Sequence, residues 1–379
     1  MNRPDVGVAI VGYGIMGKAH TYAYRVAPMI RPLPCTPCVR VITGRHAELV
    51  ERAARTYDVP EWSTNWRTAI ERDDVDIVDV CTPPGTHTEI VEAAAQAGKA
   101  ILCEKPFATS YVEAQHALAA VRSAGVPNAI SFNYRRLPAL ALMKDMIDKD
   151  AIGEPRLFRA IWLTDEFTDP LTPFDWRFDR RLGGTTIADL GCHLFDLARW
   201  LVGEVDAVVA QSETFVRERP DAQGGASARV TVDDSSSVLV RFANGARGVF
   251  EMTRSCVRHP CDLTIEVNGA SGSLRFDYAR LNELWYGNQA DDQQLYGMRR
   301  IRAEHPTHPY AAQWWPLGQG VGYGSSFVNQ VCDHLERWPE GPWLPDLADG
   351  LEVQAICAAA EQSVDEQRCV RVAEIKYVE

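Results

Sequence analysis

Three side chains are candidates for chemistry: Lys105 at the end of an apolar strand, and Asp189 and His193 as a neighbouring acid/base pair in a helical segment. Lys105 lies in the run Ala100–Phe107, just past its first half, a short apolar stretch between Gly98-Lys99 and Pro106. Proline stops such a strand from continuing as a paired interior one. Glu104 and Lys105 are therefore expected at its carboxyl end, where open α/β sheets bind ligands. Asp189 and His193 lie in the segment Gly183–Leu201, where Ile187, Leu190, Leu194, Leu197 and Leu201 recur at helical spacing. One helical turn makes that carboxylate and that imidazole neighbours. The carboxylate then fixes the ring and stabilises its protonated form, as a general acid/base requires. The same pair could be half a metal site, but no other His or Cys grouping has ligand spacing, so no metal is expected. A solvated strand-end lysine and a helix-surface Asp–His pair are the bland alternatives.

The elements that must position these groups begin with Val6–Val11, an apolar run followed by Gly12-Tyr13-Gly14-Ile15-Met16-Gly17 and a helical pattern over Lys18–Ala27. Strand, glycine turn and helix in this order suit a dinucleotide. Gly12 permits the turn, Gly14 lets a pyrophosphate approach, and Gly17 lets helix and strand pack closely. Amides at the helix start, around Ile15 and Met16, attract phosphate charge. The second strand, Val39–Ile42, ends in Thr43-Gly44-Arg45. No carboxylate stands there to take a ribose 2′-hydroxyl, and Arg45 offers a guanidinium to a 2′-phosphate, so NADP is expected, with NAD possible.

A third strand, Val75–Cys81, closes on Thr82-Pro83-Pro84, a rigid turn that can lie flat against a cofactor ring. His87 opens the next helix and reads as a helix-start residue on the cofactor side. The last strand of the series, Asn128–Phe132, ends in Asn133-Tyr134-Arg135-Arg136. Strands alternating with helices predict a doubly wound parallel sheet over residues 1–133.

Beyond a helix at Leu137–Asp148 the pattern changes. Arg156–Leu163, Ala207–Phe215, Ser236–Phe242, Gly248–Met252, Leu263–Val267 and Ser273–Phe276 read as strands joined by tight turns such as Asn244-Gly245. Strands in succession predict an antiparallel sheet in a second domain over 134–379. Tyr286–Arg300 reads as irregular. Ser325–Arg337 and Leu347–Gln362 read as helices.

The 379 residues are enough for two cores. A net charge of −12 with no basic tract argues against nucleic acid or an anionic membrane as partner. No apolar run approaches the roughly 18 residues of a membrane span, and no leader is read at Met1–Asp5. Ten cysteines scattered through apolar runs suit free thiols in a reducing cytoplasm. Cys35 and Cys38 have the spacing of a redox pair or half a zinc site, but no second pair with metal spacing accompanies them and a strand follows rather than a helix, so a loop coincidence is the better reading.

Taken together, the glycine turn, Thr82-Pro83…His87, Glu104-Lys105-Pro106 and Asp189-x-Gly191-x-His193 resemble the Gfo/Idh/MocA family of sugar and cyclitol dehydrogenases. The resemblance runs along essentially the whole chain. It implies a nicotinamide-binding Rossmann domain followed by an α+β domain with a large, mostly antiparallel open sheet. One face of that sheet would carry substrate and the other an oligomer contact, as a dimer or tetramer. It also implies that Lys105, Asp189 and His193 are catalytic. Segments such as Met16–His20, Asn133–Arg136, Trp176–Phe178 and Arg241–Gly245 look like members that oxidise a ring hydroxyl of glucosides or levoglucosan. Tyr134, Trp176, Arg177 and Tyr323 are then further candidates for substrate contact, with Arg177 and Asn133 also near the cofactor. The expected reaction is reversible oxidation of a secondary ring hydroxyl of a sugar, glycoside or cyclitol. The alternatives are an NAD-dependent glycosidase of the same superfamily and a dinucleotide-binding regulator without turnover.

Overall fold

The computed structural model describes residues 3–221 and 224–376; Met1 and Asn2 lie outside them. The chain divides into two compact units, residues 1–136 with 322–352, and residues 137–321 with 353–379.

The first unit opens with β1 (Asp5–Val11), α1 (Ile15–Ile30), β2 (Thr36–Thr43) and α2 (Ala47–Tyr57). There follow β3 (Glu61–Ser63), α3 (Trp66–Ile70), β4 (Ile77–Val80), α4 (His87–Gln96), β5 (Ala100–Cys103), α5 (Tyr111–Ala124) and β6 (Asn128–Ile130). All neighbouring strands pair in parallel, in the order β3-β2-β1-β4-β5-β6. The order reverses beside β1, which makes the carboxyl ends of β1 and β4 a topological switch point. Val8, Ile10, Ile77, Val78, Ile101 and Leu102 have no solvent exposure, because helices cover both faces of a parallel sheet and its strands read as unbroken apolar runs. The alternation expected over residues 1–133 is present, with β3 and α3 as additions.

The second unit continues with α6 (Pro138–Asp148), β7 (Pro155–Leu163), α7 (Cys192–Leu201), β8 (Val205–Glu213), β9 (Glu218–Arg219) and β10 (Ala228–Arg229). Next come β11 (Ser235–Phe242), β12 (Arg247–Thr253), β13 (Asp262–Gly269), β14 (Gly272–Asp277), β15 (Glu283–Asn288) and β16 (Arg299–Arg302). The chain closes with α8 (Gly324–Leu335), α9 (Leu347–Glu366), β17 (Val370–Arg371) and α10 (Val372–Lys376). Nine strands form one sheet in the order β16-β15-β14-β13-β7-β12-β11-β8-β17. Every pair is antiparallel except β7 with β12. Side chains over Ser236–Phe242 of β11 and Arg247–Met252 of β12 alternate between buried and exposed, the signature of a sheet packed on one face. The stretch read as irregular, Tyr286–Arg300, contains the end of β15 and the start of β16. Its polar residues hid strands at the sheet's end.

The boundary read at 133/134 gives everything after it to the second domain, whereas residues 322–352 group with the first unit. The physical reason is α8, which lies along α1. Phe327 sits 5.3 Å from the ring of His20, Cys332 Sγ donates to the Ala27 carbonyl at 3.6 Å, and Asp333 pairs with Arg31. Tyr323, just before α8, therefore belongs to the unit that carries Lys105.

Candidate active site

In the first unit the three glycines of the opening turn do different jobs. Gly12 has φ of 117°, and a β-carbon there would sit 2.5 Å from the Cys81 carbonyl oxygen. On Gly17 a β-carbon would meet the Gly12 oxygen at 2.0 Å. Both glycines are demanded by the protein's own packing. A β-carbon on Gly14 would meet nothing within 4 Å. Gly14 is also the cap of α1 and supplies no side-chain acceptor to the first amides of this 16-residue helix, where Ile15 is exposed. This cradle fits a dinucleotide pyrophosphate.

At the end of β2, the ring of Tyr13 covers Gly44 so closely that a β-carbon at 44 would be 2.0 Å from Tyr13 Cδ1. Arg45 is exposed. After β4, Thr86 Oγ1 donates to Thr82 Oγ1 at 2.8 Å and reaches the Pro83 carbonyl at 3.1 Å, stiffening the proline turn. His87 is fully buried, with Nδ1 2.8 Å from the Pro106 carbonyl and Nε2 2.7 Å from that of Thr82. Burial pushes its pKa below the ordinary histidine value, partly offset by the two carbonyls. His87 thus joins the turn after β4 to the turn after β5, more than a helix-start residue does.

Lys105 follows β5, half-buried, its backbone N–H donating to Glu104 Oε2 at 3.1 Å. The other oxygen of Glu104 lies 3.0 Å from His20 Nε2, and His20 Nδ1 lies 2.9 Å from both oxygens of Asp79. Cys81 Sγ donates to Asp79 Oδ1 at 3.2 Å. Burial works against charge on His20, yet the Asp79 carboxylate holds its pKa well above the usual value. Burial would likewise raise Glu104, but the hydrogen bond from His20 brings it below the ordinary carboxylate range. Asp79 was not singled out in the sequence, although a carboxylate inside the apolar run Ile77–Val80 was a usable signal.

Beyond β6, Asn133 is buried and donates to Ser326 Oγ at 2.8 Å, while Ser326 donates to the Tyr323 carbonyl at 2.8 Å. The rings of Tyr134 and Tyr323 are 6.2 Å apart. The first unit therefore draws Asn133, Tyr134 and Tyr323 together.

In the second unit, Asp189 and His193 do not share one regular helix. Ile187–Gly191 forms a π-helical turn that leads into α7. Such a wide turn recurs at functional positions. Gly191 permits it to lie on β12, since a β-carbon there would be 2.8 Å from Met252 Sδ. Thr186, at its start, donates through its backbone N–H to Asp233 Oδ1 at 3.0 Å, and its hydroxyl bonds the other Asp233 oxygen. The ring of His193 lies 5.5 Å from that of Trp162. Arg254 was missed in the sequence; its Nη1 lies 3.8 Å from Asp189 Oδ2. Trp176 and Arg177 form a short turn held by Asp175, which accepts from the Arg177 backbone at 2.8 Å and its guanidinium at 3.2 Å. That guanidinium also stacks on Trp176, so Arg177 is engaged within its own strap.

A switch-point glycine turn with an open phosphate cradle, followed by a lysine at the next strand ends, defines an NAD-binding Rossmann oxidoreductase. Residues 6–132 match the oxidoreductase family with an NAD-binding Rossmann fold, and residues 140–275 match the GFO/IDH/MocA C-terminal domain. The chain belongs to the GFO/IDH/MocA family. It is 37% identical to levoglucosan dehydrogenase of Pseudarthrobacter phenanthrenivorans over 98% of this chain and 99% of that protein. Among solved structures, an oxidoreductase domain protein from Kribbella flavida is 40% identical, with a TM-score of 0.93 over 97% of this chain and 99% of that one. Levoglucosan dehydrogenase in complex with NADH and levoglucosan is 38% identical, with a TM-score of 0.93 over the same shares.

Proposed function

We propose that this oxidoreductase oxidises a secondary ring hydroxyl of a sugar, glycoside or cyclitol, reversibly, with levoglucosan or a related glucoside as the first candidate. The observation that carries the reading is full-length similarity to levoglucosan dehydrogenase; the roles given to Lys105, Asp189 and His193 follow from the motif resemblance. A bound nicotinamide supplies the hydride acceptor. The chain's own residues handle the oxygen and the proton. His193 takes the hydroxyl proton as the carbon is oxidised and returns it in reduction, with Asp189 orienting the ring. Lys105 donates to the same oxygen, stabilises its developing negative charge and orients the sugar. Tyr134, Trp176, Arg177 and Tyr323 are proposed as substrate contacts, and Thr82, Pro83 and Asn133 as contacts on the cofactor side.

The cofactor is a nicotinamide dinucleotide held at Gly12–Gly17. NADP is admitted beside NAD because Thr43-Gly44-Arg45 offers a 2′-phosphate no carboxylate and one guanidinium, whereas the levoglucosan dehydrogenase structure noted above holds NADH and favours NAD. A panel of glycosides, levoglucosan and cyclitols, followed by absorbance of the reduced cofactor with NAD and NADP separately, tests the activity. Turnover of levoglucosan or a glucoside is expected. Release of an aglycone without net cofactor reduction would point to the glycosidase instead, and no turnover on the whole panel to a regulator.

The protein works as a homo-oligomer, dimer or tetramer, through the open face of its sheet. On that face Leu239 is flanked in register by Val209 and Val249, and all three are 42–57% exposed. Contiguous exposed apolar side chains on a sheet mark an interaction surface. Light scattering should give a multiple of 42.1 kDa for the wild type and a smaller species for Leu239→Glu. All ten cysteines are free, which suits a reducing cytoplasm.

A further inference from the structure

Behind Lys105, the charged groups of the first unit form a sealed series. Asp79 is 0% exposed, His20 1% and Glu104 4%. Burying two carboxylates costs several kcal/mol each unless they are paired, so their presence requires compensation. The sequence of contacts supplies it by alternation of sign: Asp79, His20, Glu104, Lys105. Both ring nitrogens of His20 face carboxylate oxygens, at 2.9 Å and 3.0 Å, and a carboxylate only accepts, so each nitrogen carries a hydrogen. The ligand-type atoms of His20, Asp79 and Cys81 also lie close enough together to suggest a metal ion. That reading fails on the bonds, since both ring nitrogens are used on carboxylates and the Cys81 thiol donates to Asp79. Glu104 turns one oxygen to His20 and the other to the Lys105 backbone. The orientation of Glu104 therefore depends on the ring, with Ser131 as a further hydrogen-bond partner, and the start of the Lys105 turn depends on Glu104.

We propose that His20 is a positioning residue for Lys105: through its Nε2–H it fixes Glu104, the carboxylate that accepts from the lysine's backbone N–H and balances its charge. This rests on the assignment of Lys105 as the group that touches the substrate oxygen.

Two amide variants separate the two halves of the ring. His20→Gln places an N–H near the Nε2 position and keeps the bond to Glu104. His20→Asn places one near Nδ1 and keeps only the bond to Asp79. Turnover in His20→Asn should fall at least tenfold with KM for the dinucleotide changed less than threefold, whereas His20→Gln should retain a third or more of wild-type kcat. A readout free of turnover is the rate at which acetic anhydride modifies Lys105, followed by peptide mass spectrometry in protein without cofactor. That rate should change threefold or more in His20→Asn and less than twofold in His20→Gln. An unchanged Lys105 rate in folded His20→Asn overturns the proposal, whatever turnover does. If His20→Asn does not fold, Glu104→Gln, which keeps the shape and drops the charge, carries the same test by the same criterion. Wild-type turnover in Lys105→Ala beside an altered Lys105 rate in His20→Asn would instead remove Lys105 from the mechanism and leave the linkage standing.

Discussion

Arg254 Nη1 stands 3.8 Å from Asp189 Oδ2, and no part of that arginine reaches solvent. Its other contacts are carbonyls, Asp233 at 2.9 Å and Arg177 at 3.4 Å, and its guanidinium lies over the ring of Phe167. One buried cation thus ties the carboxylate proposed to orient His193 to the strap that carries Trp176 and Arg177. Removing one partner of a buried pair typically costs about 3–5 kcal/mol, because the other charge is left uncompensated. Arg254→Met should therefore lower the thermal midpoint and reduce kcat at least tenfold. Arg254→Lys, which keeps the charge and loses the fork, should recover part of the activity. Melting curves beside kcat for the two variants check this, and equal losses in both would mean that the carbonyl contacts matter and the charge near Asp189 does not.

Lys105→Ala should leave dinucleotide affinity within about threefold while reducing kcat by about 10²–10³, the usual cost of one preorganised donor. Titration of cofactor fluorescence and steady-state rates on the best substrate of the panel provide the two numbers. A variant that keeps more than a tenth of wild-type turnover would take Lys105 out of the reaction.

His193→Asn should flatten the rise of oxidation rate with pH, since asparagine cannot take the hydroxyl proton. The measurement is kcat across pH for wild type and variant with one substrate. Survival of the rise would move the base to another group, with Lys105 the first to examine.

Much of this was legible because parallel strands buried on both faces read as short apolar runs, and the glycine turn sits directly after the first of them. Lys105 was legible for a related reason, since Pro106 marks where the strand must stop. The π-helical turn was not, because an apolar stripe through Leu190 and Leu194 fits a regular helix equally well, and only Gly191 betrays the close approach to β12. β3 was missed because Glu61 and Trp62 are exposed on a three-residue edge strand, which leaves no alternation to read. Arg254 and Arg219 were missed because arginine is rarely fully buried. Their carbonyl partners, such as Phe167 and Asp169 for Arg219, come from distant loops that periodicity does not reach.

The buried series behind Lys105 should also show in stability. The folded-state pKa of His20 is raised, so the folded protein holds a proton that the unfolded chain loses near pH 6.5. Its stabilising contribution is complete below that value and is lost as pH rises through the folded pKa. Glu104, whose folded pKa is lowered, contributes above the ordinary carboxylate range and loses that contribution as pH falls through its folded pKa. Urea midpoints measured from pH 3 to 10 should therefore decline on both sides. His20→Gln should remove the His20 part of the alkaline decline, and parallel curves for wild type and variant on that side would contradict the assignment.

On the cofactor reading proposed above, the choice between NADP and NAD would turn on Arg45 rather than on Gly44. An acidic residue at 44 would be the obvious way to favour NAD, but the Tyr13 ring occupies the space a side chain would need. Tyr13 is itself held from Tyr57, whose hydroxyl donates to the Tyr13 carbonyl at 3.3 Å. Gly44→Asp should thus displace Tyr13 beside the phosphate turn and weaken both dinucleotides together. Arg45 is exposed and can change without repacking. A charge-assisted hydrogen bond is worth about 1.5–3 kcal/mol, so Arg45→Ala should lower kcat/KM for NADP by about ten- to a hundredfold and change that for NAD less than threefold. The ratio of kcat/KM for the two cofactors in wild type, Arg45→Ala and Gly44→Asp decides the matter. An NADP value unaffected by Arg45→Ala would mean that the guanidinium does not meet the 2′-phosphate, and the reading of the second strand's end would have to be given up.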